Sequence, residues 1–152
     1  MAQQVFMISN AFVMPFWISL VLLPRSQFTS RLFNNPRFKP MHIFALLYAV
    51  MVVPAIIQSP QIFSMLARPT LEGIQSLMSS PEGAAAGWIH YLCFDLFVGF
   101  SIWKTALERN QSFKWVSPIL FLVLMFGPLG WLIYELASLF AKSAKFSSNS
   151  GL

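Results

Sequence analysis

One long apolar run of the sequence contains both a carboxyl side chain and an imidazole. The stretch GWIHYLCFDLFVG, residues 87–99, holds Asp95 and, five positions earlier, His90. A carboxyl group and an imidazole can each act as a proton donor or acceptor in acid–base catalysis. Five positions correspond to about 140° around a helix that turns about 100° per residue. The two side chains could therefore cooperate only across a cavity, through a ligand or a water.

The run is long enough to cross a bilayer, where an ionised carboxylate at mid-depth costs about 2.5–3.5 kcal/mol. None of the apolar segments predicted below contains a Lys or Arg to offset this charge. We therefore expect Asp95 to be protonated, or hydrogen-bonded to neutral donors in a hydrated pocket. Candidate donors are Tyr91, Asn10, Ser19 and Tyr48. Alternatively, Asp95 serves as a hydrogen-bonding group that joins neighbouring helices.

The composition indicates an all-α integral membrane protein. Of 152 residues, 57% are hydrophobic and 10% are charged, and the mean hydropathy is +0.65. Soluble domains contain about 25% charged residues. The length suits one compact unit, which we place at residues 1–142, followed by a short flexible tail at residues 143–152.

The net charge of +5 arises from bases in the loops and near the C-terminus. In these positions they indicate membrane topology and contacts with anionic lipid headgroups, so we expect no nucleic-acid partner. Cys93 is the single cysteine, and no Cys/His set has zinc spacing, so we expect no metal site. The sequence identifies no cofactor.

A membrane-spanning helix needs about 20 mostly apolar residues. Four segments approach or exceed this length, and they predict a four-helix bundle. The predicted spans are residues 5–23, 41–58, 84–103 and 115–140.

Two further patterns refine this bundle. Leu71, Ile74, Leu77 and Met78 have helical spacing, which favours a short interfacial helix between spans two and three over a loosely ordered loop. Prolines inside three spans predict kinks, and kinked helices could splay to leave a cavity. These prolines are Pro15, Pro54 and Pro128.

Basic residues also predict the orientation. The first and third connections hold seven of the ten Lys and Arg residues, so we expect them to face the cytoplasm or stroma. Both termini would then face the periplasm or the thylakoid lumen. The first residues lack the charges and cleavage site of a signal peptide, so we expect none. The predicted location is a thylakoid or bacterial plasma membrane.

On this topology, several polar side chains lie on one side of Asp95. They are Asn10, Gln58, His90 and Glu135. The grouping predicts a polar vestibule that opens toward the periplasm or lumen. Glu135 could instead lie at the level of the lipid headgroups.

Three strings resemble the plant abscisic-acid-deficient neoxanthin synthase family and its bacterial relatives. They are FVMPFWISLVLLP (12–24), WIHYLCFDLFVG (88–99) and LMFGPLGWLIYEL (124–136), and they occur in the family's order. The resemblance implies a role in converting violaxanthin to neoxanthin, an isomerisation that opens an epoxide and creates an allene.

The resemblance also implies roles for particular residues. Asp95 and His90 occupy the polar positions of the motif and are the catalytic candidates, with the acid and the base unassigned. Trp17, Trp88 and Trp131 could line a slot for a long polyene. The ligand-binding candidates are Tyr91, Trp88, Asn10, Trp17, Trp131 and Glu135.

The sequence leaves open whether the protein is an enzyme. One hypothesis is an isomerase that acts on a carotenoid in the membrane. A second is a non-catalytic protein that binds a carotenoid or lipid, or that assembles as a homo-oligomer or in a larger photosynthetic complex. A third is a small transporter or proton channel, although one buried acid provides few ion ligands.

Overall fold

The computed structural model describes the backbone of residues 1–149 and the side chains of residues 1–140. Within this part of the chain, eight α-helices and no strand are present, which confirms the predicted all-α class. The helices are α1 (Ala2–Leu22), α2 (Gln27–Phe33), α3 (Pro40–Gln58), α4 (Gln61–Ala67), α5 (Leu71–Ser79), α6 (Pro81–Glu108), α7 (Phe113–Phe126) and α8 (Pro128–Asn149).

Three of the described helices are long and apolar enough to cross a membrane. They are α1, α3 and α6, with 21, 19 and 28 residues. Many of their apolar side chains are exposed on the isolated chain, as expected of surfaces that face lipid. In α3 the buried residues are confined to the N-terminal end, at Pro40, Met41 and Phe44.

The segment predicted as a fourth continuous span, residues 115–140, is two helices instead of one. Helix α7 ends at Gly127, whose φ of 37° is in a region that L side chains rarely adopt. The Gly127 amide donates to the Val123 carbonyl at 2.8 Å. Pro128 begins α8, where its missing N–H leaves no helical bond unmade. Pro128 therefore follows a chain reversal and does not kink a span.

Helices α7 and α8 pack against one another as an antiparallel hairpin. The rings of Trp115 and Tyr134 stack with centroids 5.8 Å apart. Nearer the turn, Gly130 lies against the backbone of Val123 so closely that a Cβ at position 130 would overlap it. Hydropathy did not reveal the reversal, because both arms of the hairpin are apolar.

The connections hold more helix than the sequence indicated. The predicted helix at residues 71–78 is present as α5, and the Thr70 hydroxyl caps it by accepting from the Gly73 amide at 3.1 Å. Helices α2 and α4 were not predicted. Helix α8 includes residues 143–149 of the predicted tail, and residues 150–152 lie outside the described part. Helices α1 and α3 continue through Pro15 and Pro54, where kinks stay a prediction.

The chain divides into two compact units. The first unit comprises residues 1–16 and 32–94, and the second comprises residues 17–31 and 95–152. Helices α1 and α6 each contribute residues to both units.

Aromatic side chains form much of the first unit's core. Phe44 is fully buried, and the ring of Phe16 meets it edge-on at 6.3 Å. Phe16 also meets Phe33 edge-on at 6.5 Å. The Cys93 thiol donates to the Met41 carbonyl at 3.5 Å, which joins α6 to the start of α3.

Two buried tryptophans join segments of the second unit. The ring of Trp17 lies directly on Gly99, where an added Cβ would be 2.6 Å from the ring. The indole N–H of Trp103 donates to the Pro24 carbonyl at 2.7 Å, so α6 is joined to the chain just beyond α1. The hydroxyl of Thr29 donates to the Leu23 carbonyl at 2.7 Å and folds α2 back onto the end of α1.

Candidate functional site

In the first unit, two predicted ligand-binding residues are hydrogen-bonded to each other. The Asn10 side-chain oxygen accepts from the Trp88 indole N–H at 3.0 Å. The Asn10 amide group donates to the Phe6 carbonyl one turn earlier at 2.8 Å. The Phe6 ring lies 5.7 Å from the Trp88 ring. Asn10 thus holds the indole in place.

A mostly apolar pocket of about 310 Å³ lies beside this pair. Its walls are the N-terminal turns of α1 and α6. The lining residues are Ala2, Gln3, Phe6, Pro81, Ala84, Ala85 and Trp88. This pocket contains no acidic, histidine or cysteine side chain, so it offers a binding surface without a group for proton transfer.

The His90 imidazole lies among aromatic rings. Its centroid is 4.6 Å from the Phe94 ring, 5.5 Å from the Tyr48 ring and 6.2 Å from the Tyr91 ring. Tyr91 is 57% exposed. The His90 imidazole is thus in contact with three aromatic rings.

In the second unit, Asp95 lies against the turn of the α7–α8 hairpin. A Cβ at Gly127 would overlap an Asp95 carboxylate oxygen and would lie 3.1 Å from the carboxyl carbon. Glycine is therefore required at the turn for two reasons, its positive φ and the closeness of the carboxylate. The carboxylate is half-buried at the N-terminal end of α8, where the helix dipole favours negative charge.

No hydrogen bond or ion pair to Asp95 is present among the described residues. The predicted donor Asn10 is instead bonded to Trp88. The Asp95 carboxyl group thus packs against Gly127 without a described hydrogen-bond partner.

A groove of about 170 Å³ lies between α6 and α8 in the second unit. Its lining residues are Phe97, Val98, Ser101, Ile102, Thr105, Trp131, Tyr134 and Glu135. Asp95 contacts Gly127, while residues 98–105 line the groove with residues 131–135. Hence α8 runs in the same direction as the C-terminal half of α6.

This arrangement brings the predicted residues Trp131 and Glu135 together in one groove. The sequence placed Glu135 with Asn10 and His90 in a predicted vestibule. In the structure, Glu135 lines the groove with Ser101 and Thr105. These two hydroxyl residues were not among the predicted site residues. Their spacing of four positions, which places both on one face of α6, was the available signal.

Trp17 was predicted to line a slot for a polyene, but its side chain is buried. It is 1% exposed, and its indole N–H has no partner among the described residues. Its ring packs on Gly99 in the core of the second unit. Trp88 and Trp131, by contrast, are 42% and 48% exposed and each lines a pocket.

No group of three or more His, Cys, Asp or Glu side chains in the described part of the chain is placed to hold a metal ion.

The apolar helices and the acidic and aromatic side chains set into them define a helical membrane protein. The chain belongs to the ABA4-like family (ABA DEFICIENT 4-like), whose model matches residues 4–134. This match confirms the resemblance inferred from the three sequence strings.

A curated relative is Protein ABA DEFICIENT 4, chloroplastic, from Arabidopsis thaliana, which is 29% identical over 135 residues. The matched region covers 85% of this chain and 58% of the relative. The chain thus spans less than two thirds of that relative's length. No solved structure matches the chain.

Proposed function

We propose that the protein acts on a xanthophyll within the membrane, in an isomerisation that opens an epoxide. The observation that best supports this function is the position of Asp95. Its carboxyl group lies at the hairpin turn, half-buried on an apolar helix, and no described residue bonds to it. Family membership supports the carotenoid class of the substrate.

The proposed reaction needs one proton donor and one proton acceptor. The acid donates a proton to the epoxide oxygen as the carbon–oxygen bond breaks, which leaves a hydroxyl group. The base removes a proton from the neighbouring polyene carbon, and the electrons of that carbon–hydrogen bond form the second double bond of an allene. One proton enters and one leaves, so the product is an isomer of the substrate. Asp95 and His90 are the candidates for these two groups.

The structure also supports a revised topology, which we propose in place of four full crossings. Helices α1, α3 and α6 cross the membrane, and the α7–α8 hairpin enters and returns on one side. A helix of 14 residues such as α7 is about 21 Å long, shorter than the hydrocarbon core of about 30 Å.

Contacts at the open end of the hairpin support the same topology. The Tyr134 hydroxyl in α8 donates to the Gln111 side chain, just before α7, at 2.9 Å. The Arg25 side chain donates to the Gln111 carbonyl at 3.2 Å. These basic connections then share the cytoplasmic or stromal face with the C-terminal end of the hairpin. The N-terminus lies on the opposite face, so the two termini are on different sides, unlike the sequence-based expectation.

Cysteine labelling tests this topology. Single cysteines at Asn34, Ser79 and Lys142 are introduced separately in a Cys93→Ser background, and a membrane-impermeant thiol reagent is added to oriented membranes. The proposal predicts that positions 34 and 142 label from one face and position 79 from the other. Labelling of positions 79 and 142 from the same face would show that the chain crosses the membrane a fourth time, and would contradict the proposed topology.

Pigment analysis tests the proposed reaction. Deleting the gene should change the xanthophyll profile of the membrane, and wild-type protein should restore it. Asp95→Asn and His90→Gln, at matched membrane abundance, should not restore it. Glu108→Gln is the matched control, because Glu108 is exposed on the same helix. An unchanged profile after deletion would rule out the proposed function.

A second candidate function is non-catalytic binding or assembly, as a homo-oligomer or within a larger photosynthetic complex. It is favoured by an exposed apolar stripe on α3, formed by Leu46, Val50, Val53 and Ile57, all at least 52% exposed. In this case pigment or partners should co-purify with Asp95→Asn as with wild type. Substitution of the stripe by smaller residues should remove the partners.

A further inference from the structure

We propose that the groove between α6 and α8 binds the hydroxyl-bearing ring of an amphipathic ligand, with the apolar tail extending into the membrane. The identity of this ligand as a xanthophyll rests on the proposed function. The hydrogen-bonding character of the groove, its size and its aromatic rim each support the site independently.

Glu135 gives the groove a charged group that can bond to a ligand. It is the one charged residue in the sequence from 128 to 140, an apolar stretch. Its side chain lines the groove, and no described cation forms an ion pair with it. The Glu135 side chain is exposed, so its carboxylate is open to a ligand that donates a hydrogen bond. A ligand that donates a hydrogen bond would supply the missing partner.

Hydroxyl groups also line the groove. Ser101 donates its hydroxyl proton to the Phe97 carbonyl at 2.8 Å. Tyr134 donates its own to the Gln111 side chain at 2.9 Å. Both oxygens therefore have lone pairs left but no proton, and the Glu135 carboxylate is also an acceptor. Thr105 adds a hydroxyl that can donate as well as accept, so the groove suits a ligand group that does both, such as a ring hydroxyl.

The size of the groove suits only part of a long ligand. The groove has a volume of about 170 Å³. A cavity of about 150 Å³ accommodates one benzene ring, whereas pockets for whole drug-sized ligands span about 300–1,000 Å³. The groove therefore suits a single six-membered ring and leaves the rest of a long ligand outside.

The aromatic rim provides a surface for that remaining part. Phe97 and Trp131 line the groove and are 52% and 48% exposed. Their π faces offer contact area for a conjugated chain leaving the groove. A hydroxyl-bearing lipid headgroup presents the same donors without a conjugated tail, so it is the competing source of the ligand chemistry.

Binding of two matched carotenoids tests the site. The full chain, in nanodiscs of phosphatidylcholine, is titrated with zeaxanthin, which has a hydroxyl on each ring, and with β-carotene, which has the same skeleton without hydroxyls. Binding is followed by induced circular dichroism in the polyene bands. Zeaxanthin should bind at least about tenfold more tightly, because its hydroxyl donates a hydrogen bond to the Glu135 carboxylate. Equal affinities would overturn the proposal.

Two variants connect this preference to the groove. Glu135→Gln should reduce zeaxanthin affinity about tenfold and leave β-carotene affinity unchanged. Trp131→Ala should weaken both, because it removes a contact with the shared polyene. Glu108→Gln, outside the groove, is the control. Full retention of the preference in Glu135→Gln would overturn the assignment of this residue.

A lipid arm separates the two ligand sources. Monogalactosyl diacylglycerol, added to the same nanodiscs, should not displace zeaxanthin at equimolar amounts. Complete displacement would assign the groove to a hydroxylated headgroup and overturn the xanthophyll assignment. This binding assay is independent of turnover, so an altered pigment profile with no zeaxanthin binding would reject the site while retaining the proposed function.

Discussion

The two units of the chain use the same residue types for different purposes. In the first unit, Trp88 is 42% exposed and is held by one hydrogen bond to Asn10. In the second unit, Trp17 is 1% exposed and its ring lies on Gly99. The sequence assigned both tryptophans to a ligand slot. Burial shows that Trp17 belongs to the core, so a tryptophan in an apolar helix indicates a ligand surface only when its packing leaves it open.

Glycines show the same contrast. In the first unit, a Cβ at Gly87 would meet the end of the Met78 side chain, 2.7 Å from its methyl carbon. Methionine is flexible and can move aside. In the second unit, a Cβ at Gly99 meets the buried Trp17 ring, and one at Gly127 meets the Asp95 carboxylate. At these three positions, the contacts in the second unit cannot relax easily and the contact in the first unit can. Gly83, also in the first unit, lies against the Leu77 backbone, so the contrast belongs to these positions and not to the whole units.

Substitution of the two tryptophans should give the largest difference. Trp17→Ala leaves a cavity in a closed core and should lower the free energy of unfolding by about 3–5 kcal/mol. Trp88→Ala removes exposed surface and one hydrogen bond and should cost about 1 kcal/mol. Both are measured by sodium dodecyl sulfate titration of the protein in mild detergent micelles. Equal losses would contradict the difference between a tryptophan packed in the core and one at an open surface.

The hairpin turn should give the next largest effect. Gly127→Ala adds a Cβ at positive φ, which costs about 1–2 kcal/mol, and also drives it into the Asp95 carboxylate. The total loss in the free energy of unfolding should be about 2–4 kcal/mol.

A double-mutant cycle separates the two contributions. Asp95→Ala in the Gly127→Ala background should recover the steric part, with a coupling of about 0.5–3 kcal/mol, and leave the backbone part. Strict additivity of the two substitutions would show that the carboxylate does not pack on the turn. Asp95→Ala alone provides the necessary reference.

A matched pair of helical glycines should give a smaller difference. Gly99→Ala forces the Trp17 ring to shift and should cost about 1–3 kcal/mol. Gly87→Ala displaces only the end of Met78, and the gain in helix propensity of up to about 1 kcal/mol should offset most of that cost. The same micelle titration measures both. A greater loss at position 87 than at position 99 would reverse the comparison.

The sequence predicted well those features that depend on composition and local pattern. Hydropathy identified the apolar segments in which α1, α3 and α6 lie, and the helical spacing of Leu71 and Ile74 identified α5. The three quoted strings identified the family. These features are readable because each is determined by neighbouring residues along the chain.

Features determined by contacts between distant residues could not be read in the same way. Pro128 was interpreted as a kink, because a Gly-Pro pair in an apolar run is compatible with either a bend or a reversal. The reversal changes the neighbours of Glu135, which lines a groove with Ser101 and Thr105. The contact between Asp95 and Gly127 likewise joins positions 32 residues apart. Periodicity along one helix carries no information on such pairs.

Surface charges should have the smallest effect in both units. In the second unit, Lys104 and Glu108 form an exposed i,i+4 pair at 3.9 Å, worth about 0.3–0.5 kcal/mol. In the first unit, Glu72 lies in the first turn of α5, where a negative charge is worth about 0.3–1 kcal/mol. Glu108→Gln and Glu72→Gln should therefore destabilise by similar small amounts, and both effects should shrink as salt is added. If Glu108→Gln instead cost as much as Gly99→Ala, a surface charge would stabilise the protein as much as the packing of Trp17 on Gly99, which would contradict this order of effects.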